Sequence, residues 1–152
     1  NSLGSTIDPT TGTFWEARLE TGGEFAGRIR PPVTLPQPPP GQPGQNTTLA
    51  VVATDAVLTK TQAKKTAMMA HDGMARAIRP AHTMFDGDIV FCPATGKRPL
   101  PEAAGFFSAP VAPAINEIRN AAADCLARAI IRGILDATSA YGLTAYRDLK
   151  HS

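Results

Sequence analysis

The sequence predicts an α/β fold, and three observations carry that prediction. Thr48 to Asp55 is a continuous apolar run of strand length, Asp88 to Pro93 is a second, and two long segments between and after them repeat apolar residues at helical spacing. Strand, helix, strand and helix in this order imply a sheet layer with helices packed on it. The 152 residues are 43% hydrophobic and 18% charged, which suits one domain with a core of its own. A formal net charge of +2 argues against an electrostatic nucleic-acid binder. Lys60, Lys64 and Lys65 form a solvated helix face without interleaved aromatics, which points the same way.

Each element has a local reason. Ser2 to Ile7 and Thr13 to Leu19 are β-prone and flank Asp8-Pro9-Thr10-Thr11-Gly12, whose Pro and Gly supply the backbone angles of a turn, so a hairpin is expected. Pro31 to Gly44 holds seven of the chain's 14 prolines and cannot sustain a helix or a central strand. It reads as an exposed linker, and its composition alone is weak support for a proline-rich ligand. Thr48 to Asp55 is then expected to be a central strand covered on both faces.

Thr59 and Gln62 form a capping box, and Ala63, Ala67, Ala70, Met74 and Ala77 share one face of a helix over about 60–79. Pro80 ends it. Pro99 to Pro113 is a second proline-marked connection. Beyond it Ile115, Ile118, Ala122, Cys125, Leu126, Ala129 and Gly133 mark the expected buried stripe of a second helix. Tyr141 to Ser152 offers no chemistry.

No apolar run reaches the roughly 20 residues that cross a bilayer, and no basic and apolar leader opens the chain. Cys92 and Cys125 lie in apolar runs without metal-ligand spacing, so neither a disulfide framework nor a zinc site is expected and a reducing, cytoplasmic compartment is. The chain opens on Asn1 within a segment that reads as strands under way, so upstream residues are expected.

The most informative point for chemistry is the junction Gln45-Asn46-Thr47-Thr48, where an exposed, stiff segment meets a buried strand. A cut between Asn46 and Thr47 would give Thr47 a free α-amino group with a pKa of about 8, able to act as its own general base. Without such a cut Thr47 is an ordinary threonine opening a strand. Asn46-Thr47-Thr48 also fits the N-glycosylation pattern, which is common by chance and has no secretion signal beside it.

Asp86-Gly87-Asp88, just before the second apolar run, places two carboxylates around a permissive residue. Such a pair could polarise a hydroxyl or orient an ammonium group, or be a solvated Asp-Gly turn. No metal is predicted, because no further His or Glu follows at ligand spacing. His71 beside Asp72 and His82 near Asp86 allow a His/Asp pair to be imagined, but sequence neighbours on a helix do not face each other. Both histidines read equally well as surface or loop residues, and Cys92 reads as core and not as nucleophile.

These residues carry a resemblance. Asn46-Thr47-Thr48-Leu49-Ala50-Val51-Val52-Ala53-Thr54-Asp55, then Ala70-His71-Asp72-Gly73, then His82-Thr83-Met84-Phe85-Asp86-Gly87-Asp88 resemble, in order and spacing, the DmpA-type aminopeptidase family. That family takes in L-aminopeptidase/D-esterases, β-peptidyl aminopeptidases and nylon-oligomer hydrolases, and the Asn-Thr junction with Asp-Gly-Asp is most similar to the last. The resemblance implies a four-layer αββα sandwich of the DmpA/ornithine acetyltransferase type, with an N-terminal nucleophile and no cofactor. It implies a precursor that cuts itself between Asn46 and Thr47, with residues 1–46 ending the α segment and 47–152 forming the β segment.

By the same resemblance Thr47 is the nucleophile, Asp86 and Asp88 position and activate it, and Asn1 holds the nucleophile or donates to the oxyanion. Further pocket residues, a lysine and a tyrosine among them, are expected upstream. The implied substrates are short peptides, amino-acid amides or esters, or ω-amino-acid oligomers. The implied partners are the missing α segment and further αβ units in a homo-oligomer, with no nucleic acid and no membrane. The alternative is a non-catalytic α/β subunit or decayed relative kept for assembly, which the joint presence of Thr47, Asp86 and Asp88 disfavours.

Overall fold

The structure, a computed structural model, describes residues 2–31, 34, 46–105 and 109–150. Asn1 and all of the Pro31–Gly44 linker except Pro31 and Thr34 lie outside the described residues. In chain order the elements are β1 (Leu49–Val51), β2 (Thr54–Ala56), α1 (Lys60–Ala77), β3 (Ile89–Phe91), β4 (Ala94–Arg98) and α2 (Ala112–Asp136), with short 3-10 turns at Ala17–Leu19 and Tyr146–Asp148. The result is a mixed α/β fold in which parallel strands pack on two helices.

The first apolar run is two strands instead of one. β1 pairs in parallel with β3, Leu49 opposite Ile89 and Val51 opposite Phe91. β2 pairs in parallel with β4, with an irregularity between Thr54 and Ala56. The turn from β1 into β2 keeps its hydrogen bonds, Val52 N–H to Phe91 O at 2.9 Å and Thr54 N–H to Pro93 O at 3.1 Å. Of the two faces expected to be covered, this chain covers one. Ala50, Val52 and Val90 face the helices, while Leu49, Val51, Ile89 and Phe91 are 70%, 64%, 40% and 54% exposed.

The capping box of α1 forms in both directions, Thr59 N–H donating to Gln62 Oε1 at 2.7 Å and Gln62 N–H to Thr59 Oγ1 at 3.3 Å. Its small-residue stripe then meets α2. The expected stripe of α2 is rotated: Ala114, Ile115, Ala123, Leu126, Ala127, Ile131 and Leu135 are buried, whereas Cys125, Ala129 and Gly133 are exposed. The helix is so rich in alanine that apolar residues lie all round it, and contact with α1 selects the face. One core joins Ala70, Met74, Ile78, Val90 and Leu126 across helices and sheet.

The expected N-terminal hairpin contracts to a single antiparallel bridge, Ile7 opposite Phe14. Around it Asp8 N–H donates to Thr13 O at 2.8 Å and Trp15 N–H to Thr6 O at 3.2 Å, and Ser5 also exchanges bonds of 3.0 and 2.9 Å with Arg79 at the end of α1. Gly4 makes that approach possible, since a Cβ there would lie 1.9 Å from Pro80 O. Arg79 is stacked 4.3 Å over the Trp15 ring, and Trp15 Nε1–H donates to Ser5 O at 3.1 Å. Ile7, Phe14 and Phe25 then form a second core with Ile131, Leu135 and Tyr146. Tyr146 comes from the C-terminal stretch without sequence signal, and its hydroxyl both accepts from Arg30 N–H at 2.9 Å and donates to Arg30 O at 2.6 Å. Among the described residues no helix is long and apolar enough to cross a membrane.

Candidate active site

The entrance to β1 and the loop into β3 meet side by side, which brings Asn46, Thr47, Asp86, Gly87 and Asp88 together. Asn46 pairs with Asp86 in a parallel bridge that extends the β1–β3 ladder by one step. The Asn46 carbonyl oxygen accepts from Gly87 N–H at 2.9 Å and from the Thr47 hydroxyl at 2.6 Å. The hydroxyl of the expected nucleophile therefore lies against the carbonyl of the residue before it. Gly87 leaves the space for it: a Cβ on Gly87 would come 3.0 Å from Thr47 Oγ1. Asn46 is buried, and its Nδ2 has no hydrogen-bond partner among the described residues.

The two carboxylates have different work. Asp86 Oδ2 accepts from Thr83 N–H at 2.9 Å and Thr83 Oγ1–H at 2.7 Å, and Oδ1 accepts from Leu3 N–H at 3.3 Å. It ties the loop to itself and to the start of the described chain, two residues from Asn1. Asp88 Oδ1 accepts from Thr48 N–H at 2.8 Å, and Oδ2 from His82 N–H at 3.1 Å, with His82 Nδ1 2.7 Å away. The Asp88 side chain is only 4% exposed. It fixes the backbone next to Thr47.

The imagined His/Asp pairing is thus realised with a different partner: His82 meets Asp88, while Asp86 turns to Thr83. His82 takes a φ of 56°, a left-handed conformation that a non-glycine residue adopts at a cost, held by its two contacts with Asp88. His71 is not a lone surface residue. Its ring packs edge-on against His82 with centroids 4.9 Å apart, and burial first, then the neighbouring His82, holds its pKa below the usual 6.5. Sequence reading missed this cluster, although the spacing of six residues between His82 and Asp88 is a usable signal for a loop that folds back on itself. Burial pushes the Cys92 thiol up, against a nucleophilic role.

The donors around Asp86 have a measurable consequence. The Thr83 hydroxyl above all, opposed by burial and aided by the Thr83 and Leu3 amides, holds its carboxyl below the ordinary 3.8. A carboxylate whose native pKa is depressed contributes stability that is full above the unfolded value and is lost as pH falls through the native one. Asp86→Asn should therefore melt below wild type at neutral pH. The gap should close on acidification below 3.8, as seen in melting temperatures of both proteins across pH. A constant gap would show that the charge contributes nothing.

The chain is 42% identical over 158 residues to an uncharacterized aminopeptidase of Mycobacterium tuberculosis, covering 98% of this chain and 45% of the relative. It is 42% identical over 156 residues to an uncharacterized aminopeptidase of Mycobacterium leprae, covering 96% of this chain and 41% of the relative. A 6-aminohexanoate-oligomer endohydrolase of Paenarthrobacter ureafaciens is 33% identical over 69 residues, 45% of this chain and 19% of the relative. The chain thus spans less than half the length of these curated relatives. The family described as Peptidase family S58 matches residues 8–147, a span that holds the Asn46–Thr47 junction and both aspartates, and the chain belongs to that family.

Proposed function

We propose that the chain is part of a self-processing hydrolase in which Thr47, freed at its amino group, cleaves amide or ester bonds through an acyl-enzyme. The observation that carries the reading is the Thr47 hydroxyl 2.6 Å from the Asn46 carbonyl oxygen, on a backbone pinned by Asp88. In the first step Thr47 Oγ bonds to the Asn46 carbonyl carbon. The Asn46–Thr47 C–N bond breaks, and the hydroxyl proton passes to the leaving nitrogen. Water then hydrolyses the ester, leaving an Asn46 carboxylate and a Thr47 bearing hydroxyl and α-amine together.

That amine, with a pKa of about 8, takes the hydroxyl proton when a substrate carbonyl arrives and returns it to the leaving group. Asp86 and Asp88 act here as positioning carboxylates, their oxygens engaged by backbone and side-chain donors of the loop, of Leu3 and of Thr48. Asn1, two residues from the Leu3 amide that reaches Asp86, is proposed to hold the nucleophile or its oxyanion. The substrate class follows from the relatives' names: amide bonds at the ends of short peptides, or in oligomers of ω-amino acids.

Residues 1–46 close an α segment and 47–152 form the β segment of one αββα sandwich, whose second sheet comes from sequence beyond this chain. The exposed apolar side chains of Leu49, Val51, Ile89 and Phe91 support that reading, because a sheet face of this composition needs cover. The free thiols of Cys92 and Cys125 suit a reducing, cytoplasmic compartment.

The test is intact mass under denaturing conditions on the full-length protein and its Thr47→Ala variant. Wild type should separate into two chains that meet between Asn46 and Thr47, and the variant should remain one. A folded wild type that stays uncut would overturn the reading.

A further inference from the structure

We propose that the backbone N–H of Gly87 is an oxyanion donor used twice, first on the Asn46 carbonyl during self-cleavage and then on the substrate carbonyl in every turnover. The inference rests on the self-processing reading above and deepens it. Its basis is the 2.9 Å hydrogen bond from Gly87 N–H to Asn46 O, the oxygen that takes up negative charge when Thr47 Oγ attacks the adjoining carbon. The donor is part of the β1–β3 ladder extension, so its direction is fixed before any charge develops. A preoriented donor of that kind lowers a barrier without reorganising at the moment of reaction.

The second use extends the same donor to a chemically matched ester. The ester formed in self-cleavage joins Thr47 Oγ to the carbonyl of Asn46, and the acyl-enzyme of turnover joins the same oxygen to the carbonyl of the substrate. Both are esters of one hydroxyl, and the second use seats the substrate's carbonyl oxygen where that of Asn46 lay. Asp88 holds that backbone through Thr48 N–H at 2.8 Å. Once Asn46 has left, Gly87 N–H faces the place its oxygen occupied. No atom or electron is supplied by Gly87; it donates one hydrogen bond to an oxygen whose charge rises and falls.

The residue type fits the task. A Cβ at position 87 would lie 3.9 Å from Asn46 O but 3.0 Å from Thr47 Oγ1, so it would spare the oxyanion and crowd the nucleophile. Donor and seat can therefore be separated experimentally. In the full-length protein, replacing Gly87 by glycolic acid through an ester-linked backbone removes the N–H and adds no atom at the site. Gly87→Ala keeps the N–H and adds the Cβ.

The ester variant should self-cleave on the order of 10²-fold or more slowly than wild type, the usual cost of one lost oxyanion donor. Once cut, it should show a similar fall in kcat on an amino-acid amide, with KM little changed. Gly87→Ala should also be slowed, because it keeps the N–H but sets a Cβ 3.0 Å from the Thr47 hydroxyl oxygen. Cleavage of the ester variant at the wild-type rate would overturn the inference while leaving the self-processing reading intact. Slow cleavage followed by a normal kcat would remove the second use. An uncut wild type would instead remove the reading on which both rest.

Discussion

Gly73→Ala is expected to cost the protein more than about 3 kcal/mol, at or beyond the upper end of ordinary overpacking and a large share of the roughly 5–15 kcal/mol that holds a domain together. Gly73 is buried on α1 at its crossing with α2, and a Cβ there would lie 2.0 Å from Ala123 O, 2.8 Å from its carbonyl carbon and 3.0 Å from its Cα. All three atoms are backbone, so no rotamer change can relieve the overlap. The helices would have to separate, and Ala70, Met74 and Leu126 would lose contact. Alanine gains about 1 kcal/mol over glycine in helix propensity, too little to offset this. Gly133→Ala on α2 isolates that gain, because the position is exposed and an added Cβ meets nothing within 4 Å. It should stabilise by about 0.5–1 kcal/mol. Urea unfolding of the full-length protein with each change should give opposite signs, and equal destabilisation by both would refute the crossing as the cause.

What the sequence made legible is what is decided locally. The Thr59–Gln62 capping box and the stripe of α1 depend on residues three or four apart, and both are present. The division of the apolar run into β1 and β2 was not legible, because Val52 and Thr54 take their partners from residues 91 and 93. β4 was missed for a similar reason: Ala94-Thr95-Gly96-Lys97-Arg98 is polar and holds a glycine, and only pairing with β2 makes it a strand. Tyr146 gave no signal because its hydroxyl bonds to Arg30, a residue 116 positions away. At the site, the order of Thr47, Asp86 and Asp88 along the chain was readable through the family pattern. The division of labour between the aspartates was not. Asp86 turned out to serve Thr83 and Leu3, and the histidine assigned near it belongs to Asp88.

That division predicts a large loss of activity from one isosteric change. Asp88→Asn changes no volume, yet the site has no place for an amide nitrogen. Oδ1 faces Thr48 N–H and Oδ2 faces His82 N–H, both donors with fixed direction. Either orientation of the asparagine therefore sets its NH₂ against a backbone N–H, in a side chain only 4% exposed. A change of His82 tautomer can satisfy the ring but not the main chain. Losing a charge-assisted bond of this kind costs about 1.5–3 kcal/mol. The chemical cost is of the same size, since a displacement of about 1 Å in a reacting group can lose 10²-fold in rate, about 2.7 kcal/mol. The variant should fold with a lowered melting temperature, and the two processed chains should appear on the order of 10²-fold more slowly in timed intact-mass measurements. His82→Asn separates the parts, because asparagine tolerates a positive φ and offers an amide donor near the position of Nδ1. It should keep most of the processing rate, whereas His82→Ala should not. Full-rate processing by folded Asp88→Asn would mean that Thr47 is seated by something other than this carboxylate.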